Sequence, residues 1–549
     1  AALALCSVVA VAACSVRSSQ KEDGHPTVVA PAEKVAEAAP TSGGTTTKSG
    51  RATLLLMGDI RGILRPCGCT VDLQKGGFDR LAPHVHAERT AYPGALLVHA
   101  GPLFFEEAET PEAKVAQRAR QAEVVADLVA AVGVDITAAS TVDAAAADGH
   151  YRALADRTKV TLTAANATFD GVTVKPYVVR RVGDLDVGLF ALAAAEPAKG
   201  LAGVTVRDPA EVAAEVVASL SGKADIIVLL SGIGLRQTKR LVRKVPGIHF
   251  AVAGGLGDQP VFSDEAELVG ATRVMQFHRE GRFIGRLLID LRDGQTAVAD
   301  ASAPSETELA ALDQRIKRLE ASLAGWESSR SPDDRDVRSA RHHLEALRAE
   351  RTRFAERGGP PPEGKSSFSF IATPLNWDLP QDPQVLAVMD AFDEELKQIN
   401  LKAAGTLPAA KPGEAVYVGM EACMDCHDET EGFWAHDRHE GAWETLEKGN
   451  KTFDSECVSC HVTGYGKAGG SLVGQTTGRE DVQCEACHGP GSLHVDAEDD
   501  ATILATIIRE PTEAVCTTCH NEHHSPDFDY RRYRKKLTVP GHGLPLTGK

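Results

Sequence analysis

Four copies of the pattern Cys-x-x-Cys-His carry the most specific chemistry in this sequence. They begin at Cys423, Cys457, Cys484 and Cys516. Two thiols three positions apart can bond to the two vinyl groups of one porphyrin, and the histidine that follows can then bind the iron as its proximal ligand. A single copy could be a zinc half-site or a redox pair, but four copies with the adjacent histidine predict four covalently bound c-type haems.

The predicted ligands follow from this pattern, and we call the four copies the attachment motifs. The thiols expected to bind haem are Cys423, Cys426, Cys457, Cys460, Cys484, Cys487, Cys516 and Cys519, and the expected proximal ligands of iron are His427, His461, His488 and His520. The motifs follow one another so closely that little peptide remains for each haem. The porphyrins must therefore form most of the core and lie close together, as a relay of electron carriers requires.

The sixth ligand of each iron decides what a haem can do. A second histidine closes the iron and suits fast electron transfer, whereas an open position permits substrate chemistry. The distal candidates in order of preference are His439, His494 and His542, followed by His436, His523 and His524. Three preferred candidates for four irons predict one five-coordinate haem, and the alternative for each candidate is an exposed surface histidine.

The residues around the attachment motifs resemble one family. Tyr417-Val418-Gly419 precedes the first motif, Trp434 precedes His439 on an expected helix, and residues 482–494 read Val-Gln-Cys-Glu-Ala-Cys-His-Gly-Pro-Gly-Ser-Leu-His. These stretches resemble the nitrifier-type tetrahaem cytochrome c family, whose best-known members accept electrons from hydroxylamine oxidoreductase. The resemblance implies a mainly α domain that exchanges electrons with redox protein partners, of which neither donor nor acceptor is identified.

A basic cluster, Arg531-Arg532-Tyr533-Arg534-Lys535-Lys536, follows the last motif. It could bind an acidic redox partner or offset haem propionates, and a solvated helix face is the alternative. The formal net charge of the chain is −17, which argues against a nucleic-acid partner.

The N-terminal residues predict export and a membrane anchor. Ala1–Cys14 is apolar and uncharged, too short to span a bilayer, and typical of the h-region of a signal peptide. Val11-Ala12-Ala13-Cys14 resembles a bacterial lipobox, which implies a lipid on Cys14, and Ser15 favours the outer over the inner membrane. A plain secretory signal with an incidental cysteine is the alternative. We expect a lipoprotein of the periplasm or outer membrane, outside the cytoplasm.

Short apolar runs alternate with amphipathic helices from Thr53 to about Arg292. Leu54–Met57, Ala95–Val98 and Ile226–Leu230 indicate buried strands, whereas Glu112–Val132 and Pro209–Leu220 indicate helices. This alternation predicts a layered α/β domain.

Several landmarks in this stretch resemble, in order, the metallophosphoesterase domain of periplasmic 5′-nucleotidases. They are Gly58-Asp59-Ile60-Arg61-Gly62, Gly76–Leu81, Ala165-Asn166, Leu230–Leu235, Val252–Gly255 and Gly285–Leu287. The expected metal ligands are largely replaced, by Arg61, Gly101-Pro102, Ala139–Val142, Gly232 and Gly255–Asp258. A dinuclear site needs several carboxylate and imidazole ligands, so the resemblance implies a phosphoesterase scaffold that has lost its metals. Asp59 and Asn166 are then more readily turn and capping residues.

Cys67 and Cys69 lie in a loop near the expected mouth of that site. Cys-x-Cys does not readily close an unstrained disulfide. The pair could bind a soft metal or act as a redox dithiol, with His84, His86 or His99 nearby. Two ordinary loop cysteines are the alternative.

The sequence therefore predicts a multidomain chain, as its length of 549 residues suggests. The expected parts are a lipoprotein signal over 1–14, a flexible linker over 15–50, a metallophosphoesterase-like domain over 51–300, a helical hairpin over 301–358, a connector over 359–415 and a tetrahaem cytochrome c domain over 416–549. We expect an electron-transfer protein with a catalytically degenerate phosphoesterase-like domain. One alternative is a multihaem oxidoreductase acting on a small nitrogen or sulfur species at an open haem, and another is an active metal-dependent phosphoesterase or nucleotidase.

Overall fold

In the computed structural model, the described residues all belong to one compact unit, Ser42–Lys549. The structure describes residues 48–66, 74–255, 265–277, 279–292, 298–303, 306–332, 335–356, 359, 363–521, 525, 528–540 and 542–544. The predictions for Cys14, Cys67, Cys69, Asp258, His523 and His524 fall outside these ranges. Within the described ranges, no helix is both long enough and apolar enough to cross a bilayer.

Fifteen strands and nine helices precede the attachment motifs among the described residues. The strands are β1 Gly50–Gly58, β2 Leu96–Ala100, β3 Ile136–Ala138, β4 Thr161–Thr163, β5 Ala167–Phe169, β6 Val178–Val182, β7 Leu185–Leu192, β8 Val204–Val206, β9 Ile226–Ser231, β10 Phe250–Ala253, β11 Glu267–Val269, β12 Thr272–Gln276, β13 Phe283–Leu291, β14 Ala299–Asp300 and β15 Ser367–Pro374. The helices are α1 Phe78–Ala91, α2 Val115–Val132, α3 Thr141–Ala146, α4 Tyr151–Thr158, α5 Pro209–Leu220, α6 Leu235–Lys244, α7 Glu306–Ser329, α8 Arg335–Glu356 and α9 Pro383–Ala403, and short 3₁₀ helices lie at Glu112–Lys114 and Glu196–Ala198.

Two large sheets form the centre of this α/β body. One has the strand order β14-β15-β13-β1-β2-β3-β4, and the other has the order β11-β12-β10-β9-β7-β6. Strands β1 to β4 run parallel, as do β7, β9, β10 and β12, whereas β13 runs antiparallel to both of its neighbours, β1 and β15. Parallel strands are buried on both faces, which explains why their sequences are continuous apolar runs.

The strand β1 shows how the layers are held together. Leu54 and Leu56 point into the core between the two sheets, and Leu55 and Met57 point into the core beneath the covering helices. Successive side chains of a strand alternate between its faces, so one apolar run serves both cores. The helices α5 and α6 cover the second sheet in the same way. The predicted layered α/β domain is confirmed.

The helical hairpin is also present, as α7 and α8. Its core contains Leu312, Leu319 and Leu323 from one helix and Leu344 and Leu347 from the other. The hairpin is held to the body by Arg315, whose Nε and Nη2 each donate to a carboxylate oxygen of Asp378 at 2.9 Å.

The structure differs from the predicted connector over 359–415. Strand β15 pairs antiparallel with β13 over eight residues and is an inner strand of the seven-stranded sheet. Helix α9 packs against the same body and contributes Met389, Phe392 and Leu396 to its core. The α/β body therefore resumes after the hairpin, because β15 supplies the hydrogen bonds that β13 needs on its outer side.

The last part of the chain consists of short helices with little regular sheet. The helices are α10 Glu421–Met424, α11 Asp428–Trp434, α12 Ala442–Lys448, α13 Ser455–His461, α14 Cys484–His488, α15 Ser492–Val495, α16 Asp500–Ala505, α17 Glu513–Cys516 and α18 Tyr530–Leu537, with two-residue strands β16 Val539–Pro540 and β17 Gly543–Leu544. The mainly α character predicted for this region is confirmed.

Candidate functional site

Each attachment motif lies on or at the end of a short helix. The second and third motifs lie within α13 and α14, the first follows from α10, and the fourth follows from α17. One helical turn brings residues three apart to the same side, so the two thiols of a motif point together. The eight motif thiols are free in the described structure, as the predicted thioether bonds to haem require.

The apolar side chains of this region fit a set of bound porphyrins. Its apolar core contains four buried members, Leu446, Val458, Val462 and Val473. Near the third motif, in contrast, several large apolar side chains are exposed: Leu493 (38%), Val495 (47%), Leu504 (65%) and Ile508 (45%). A region this poor in core needs another source of buried apolar surface. Flat porphyrins against these side chains would supply it, so the residues fit covalently bound haem.

Three of the four predicted proximal histidines lie beside a second histidine. The ring centroids of His427 and His494 are 6.3 Å apart. Those of His488 and His542 are 6.1 Å apart, and those of His520 and His439 are also 6.1 Å apart. The second members are the three distal candidates preferred from the sequence, and the structure brings each of them to a different motif.

The Nδ1 atoms of these histidines are held by oxygen atoms of the chain. His488 Nδ1 lies 2.6 Å from the Ile508 carbonyl, and His542 Nδ1 lies 2.6 Å from the Leu537 carbonyl. The same holds for His461 with Ala442 O at 2.6 Å, His494 with Ile503 O at 2.9 Å, His520 with Ser525 Oγ at 3.0 Å and His439 with Asp437 Oδ1 at 2.7 Å. A bonded Nδ1 fixes the tautomer and ring orientation and leaves Nε2 for a metal.

Burial also favours the neutral form of two proximal imidazoles. Desolvation lowers the pKa of His488 and of His520 below the ordinary value. The neutral imidazole is the form that binds a metal.

Thiols of different motifs lie close to one another. The Cys423 thiol is within hydrogen-bond reach of Cys484, which lowers the pKa of the Cys484 thiol to about 7. The thiol of Cys460 is within hydrogen-bond reach of Cys519, and this contact lowers the pKa of the Cys460 thiol to about 6. The first motif is therefore next to the third, and the second is next to the fourth.

Glu485, inside the third motif, was not predicted as a site residue. Its carboxylate is 2% exposed and accepts N–H bonds from Val418 at 3.0 Å, Gly419 at 2.7 Å and Gly491 at 2.7 Å. It ties the start of the region to the loop after the third motif. The sequence did offer a signal for this role. Glu485 stands between two attachment cysteines, and two of its three backbone donors, Gly419 and Gly491, are glycines.

His436, a less preferred distal candidate, lines a cavity in the described part of this region. The cavity has a volume of about 430 Å³ and is also bounded by Phe433, Asp437, Lys536 and Val539. His436 Nδ1 lies 2.9 Å from the Gly432 carbonyl, and Phe433 stacks on His542 with ring centroids 4.5 Å apart.

In the α/β body, the position of the expected metal site is taken by a buried ion pair. Arg61 Nη2 lies 3.3 Å from Asp59 Oδ2, and the two side chains are 3% and 4% exposed. The same guanidinium nitrogen donates to the Gly255 carbonyl at 3.0 Å, and Gly255 N–H donates to Asp59 Oδ1 at 2.9 Å. Burial raises the pKa of Asp59, opposed by the charge of Arg61. Among the described residues, no group of three or more His, Cys, Asp or Glu side chains could hold a metal ion.

The other body residues named from the sequence make internal contacts. Asn166 Nδ2 donates to Ala193 O at 3.0 Å, and Asn166 Oδ1 accepts from Ala193 N at 2.8 Å. His99 is fully buried with Nδ1 2.9 Å from Thr137 Oγ1, and burial lowers its pKa to about 3. His84 faces Glu88 at 3.7 Å, and His86 is exposed.

A second body carboxylate, Asp143, was not predicted. It accepts N–H bonds from Leu103, Phe104 and Phe105 at 2.8 to 3.0 Å. Burial raises the pKa of Asp143 to about 7, against these three donors, which lower it. Three bonds from one loop make Asp143 a structural clamp on the residues after β2.

The attachment helix α13 is bound to the body by a buried polar network. Gln117 of α2 is 1% exposed; its Nε2 donates to Asp454 Oδ1 at 2.7 Å, and its Oε1 accepts from Ser455 Oγ at 2.6 Å. Asn400 of α9 donates to Gln117 Oε1 and to the Phe453 carbonyl, both at 2.8 Å.

Charged pairs surround this network. Lys451 Nζ lies 2.8 Å from Asp393 Oδ1. Glu456 accepts a hydrogen bond from Lys114 at 2.8 Å and forms an ion pair with Arg118 at 3.2 Å. Burial opposes the charge of Lys451, but the carboxylates of Asp454 and Asp393 raise its pKa above the ordinary value. Together the contacts fix the helix that carries Cys457 and Cys460 to the α/β body.

The C-terminal region is similar to known cytochromes. Residues 422–489 match the model of the family described as cytochrome c554 and c-prime. Cytochrome c-554 of Nitrosomonas europaea is 33% identical over 97 residues, which are 14% of this chain and 40% of that relative. The chain thus matches less than half the length of the relative. These matches support a multihaem c-type cytochrome region, the kind of protein that carries covalently bound haem.

Solved structures similar to the chain belong to another group of proteins. Sulfate thiohydrolase SoxB of Thermus thermophilus has a TM-score of 0.43 at 13% identity, covering 70% of this chain and 68% of that chain. A 5′-nucleotidase precursor from the same organism has a TM-score of 0.41 at 16% identity, covering 78% and 72%. NAD nucleotidase of Haemophilus influenzae has a TM-score of 0.37 at 16% identity, covering 56% and 62%.

Proposed function

We propose that the chain is a tetrahaem cytochrome that carries single electrons between redox protein partners outside the cytoplasm. The observation that carries this proposal is the set of three histidine pairs, with ring centroids 6.3, 6.1 and 6.1 Å apart. Bound haems would supply one-electron chemistry, and an iron closed by two histidines suits electron transfer rather than substrate binding.

The three pairs support a proposal for the axial ligands. Two imidazoles that bind one metal through Nε2, each at about 2 Å, have ring centroids about 6 Å apart. The observed separations match this value. We therefore assign His494 opposite His427, His542 opposite His488, and His439 opposite His520. Each bonded Nδ1 atom supports the assignment, because it leaves Nε2 as the ring nitrogen available to a metal.

The neighbouring sulfur atoms support an order for the relay. Cys423 is next to Cys484, Cys487 is close enough to Cys516 for their charges to interact, and Cys460 is next to Cys519. The attachment sites are thus neighbours in the order first, third, fourth and second motif. The ends of the relay would be the haems at Cys423 and at Cys457.

We propose that the α/β body no longer hydrolyses phosphoesters. The support is the pair of Arg61 and Asp59, because the guanidinium already neutralises the one retained carboxylate and would oppose a cation. Incubation of the full chain with Mn²⁺ and a nucleotide is expected to release no phosphate. Release that disappears in Asp59→Asn would revive the active phosphoesterase hypothesis.

The body serves instead as a platform for the relay. Gln117, Asn400, Lys114 and Arg118 all contact the segment that begins α13. This segment carries one proposed end of the relay, so the body holds that end in a fixed place.

We further propose an extracytoplasmic lipoprotein, of the periplasm or the outer membrane, with its lipid on Cys14. Covalent haem attachment supports a site outside the cytoplasm. Partition of the membrane fraction into detergent is expected for the natural sequence and not for Cys14→Ser.

The spin states of the irons test the electron-carrier proposal. Electron paramagnetic resonance of the oxidised protein is expected to show at least three low-spin irons with two histidine ligands each. High-spin signals from two or more irons would contradict it.

The iron at His461, in the second motif, is the one that tests the second candidate function, a multihaem oxidoreductase. The three pairs use His439, His494 and His542, so the sixth ligand at His461 is to be identified. An exchangeable position there would favour an oxidoreductase acting on a small nitrogen or sulfur species. Nitric oxide or cyanide binding to one iron of four, with turnover of such a species, would establish it.

A further inference from the structure

Helix α18 concentrates positive charge on an acidic chain. Five of its eight residues form what we call the basic patch: Arg531, Arg532, Arg534, Lys535 and Lys536. All five are exposed, whereas the whole chain has a net charge of −17. Arg534 pairs with Glu510 at 2.9 Å, and the guanidinium of Arg532 and the ammonium of Lys536 lie 5.6 and 4.9 Å from the Tyr533 ring centroid. Most of this charge therefore faces solvent.

Residues 528–537, which include this helix, also contact two of the histidine pairs, since Leu537 O lies 2.6 Å from His542 Nδ1. The Tyr533 ring lies 5.9 Å from the His520 ring, and Phe528 stacks on His520 at 4.8 Å with an interplanar angle of 10°. Lys536 shares a cavity wall with Phe433, which stacks on His542. The basic patch thus lies one helix away from the proximal ligand of the fourth motif and the distal ligand of the third.

The local charge of the basic patch, rather than the net charge of the chain, controls how a partner approaches the patch. At physiological ionic strength the screening length is about 8 Å, so distant acidic residues act weakly on a molecule that touches the patch. Complementary patches steer and orient redox partners. A basic patch over haem ligands would select an acidic surface and bring it within a short distance of an iron.

We infer that the basic patch is the docking surface for an acidic redox protein, which exchanges one electron with the haem at His520 or the haem at His488. This inference rests on the proposed function. In the exchange one electron passes to the one-electron acceptor of the partner, whose centre is reduced as the donor iron is oxidised. No proton or atom is transferred.

The test uses hexacyanoferrate(III) as a small anionic acceptor for the full-length protein, reduced with dithionite and then desalted. Stopped-flow spectroscopy follows the oxidation of the haems at increasing ionic strength. Steering by the basic patch predicts that the second-order rate falls as salt is added. A chain that acts through its net charge of −17 would repel the anion, and its rate would rise with salt.

Two matched variants locate the effect. Arg531→Gln with Arg532→Gln and Lys535→Gln is expected to slow the reaction at low salt by about tenfold and to remove or invert the salt dependence. Arg240→Gln with Arg243→Gln and Lys244→Gln removes the same charge from three exposed positions on α6 of the body. This control is expected to keep the natural rate and salt dependence. Glutamine keeps the helix propensity of both sites high.

Several outcomes would overturn the inference. One is a second-order rate of haem oxidation that rises with salt in the natural protein. Another is an equal effect of the two triple variants on that rate. Altered haem midpoint potentials with an unchanged salt dependence would assign the patch to haem propionates. If the basic-patch triple variant no longer bound phosphatidylglycerol vesicles that the natural protein binds, and its salt dependence were unchanged, the patch would be assigned to membrane binding. A preparation without reducible haem absorbance would overturn the proposed function as well, whereas the salt results overturn this inference alone.

Discussion

At the scale of single residues, the proposed electron transfer depends on the histidines. The pattern Cys-x-x-Cys-His is local, so the proximal ligands could be predicted from four short stretches of sequence. The pairing of the proposed distal ligands with the motifs is not local, since His439 lies beside His520 and His427 lies beside His494. Only the folded chain shows which candidate lies beside which motif.

Removal of a distal histidine should change one iron at a time. His439→Ala, His494→Ala and His542→Ala are each expected to convert one low-spin iron to high spin, because that iron loses its sixth ligand. The number of covalent haems should stay the same, since the thiols are intact. Magnetic circular dichroism and resonance Raman spectra measure the change.

His436→Ala is the matched control for these three variants. Its Nδ1 is bonded to Gly432 O, and the assignment gives it no iron. A spin-state change in this control, with none in His439→Ala, would reassign the ligand of the fourth motif.

The buried pair of Arg61 and Asp59 is structural at the same scale. Arg61→Ala would leave a buried carboxylate without its cation, and we expect a destabilisation of about 3–5 kcal/mol. Arg152→Ala removes an exposed pair with Asp156, 68% and 72% exposed, and is expected to cost at most about 1 kcal/mol. Thermal unfolding followed by far-ultraviolet circular dichroism compares the two variants. Equal shifts would show that the buried pair does not stabilise the body.

At the scale of elements, the sequence predicted the sheets and helices better than their connections. Apolar runs such as Ile226–Leu230 predicted buried strands correctly, because both faces of a parallel strand are covered. Strand β15 was missed, although Ser367-Phe368-Ser369-Phe370 alternates with the period of a strand. The hairpin α7–α8 separates it from β13 along the chain, so their pairing is not visible in the sequence.

The contact between α2 and α13 should influence one haem. Gln117→Ala leaves the Asn400 amide and the Ser455 hydroxyl without a shared partner, which should cost about 1–3 kcal/mol. The looser α13 should also shift the midpoint potential of the haem at Cys457 and Cys460. Potentiometric titration with visible spectroscopy measures this shift.

Gln121→Ala provides the comparison on the same helix. Gln121 donates to the Gly62 carbonyl at 2.6 Å, within the body, so its loss should leave all four potentials unchanged. Equal changes in both variants would show that the network does not position the haem.

At the scale of the whole molecule, two regions of different composition share one compact unit. The α/β body has large apolar cores of its own, whereas the C-terminal region has a small one. A region of this kind owes its stability to groups bound within it. The buried contacts around Gln117 and Lys451 fix the C-terminal region to the body. These contacts join residues far apart in the chain, so the sequence did not predict them.

The haem content of the purified full-length protein tests the central claim most directly. Extraction with acidified acetone first removes haem that is not covalently bound. The alkaline pyridine haemochrome spectrum then measures the remaining haem, and quantitative amino-acid analysis measures the protein. Their ratio gives the number of covalent haems per chain. We expect four, because each motif presents two free thiols and an adjacent histidine. Fewer than four covalent haems in protein made with a complete haem-attachment system, or haem that the solvent extracts, would contradict the account.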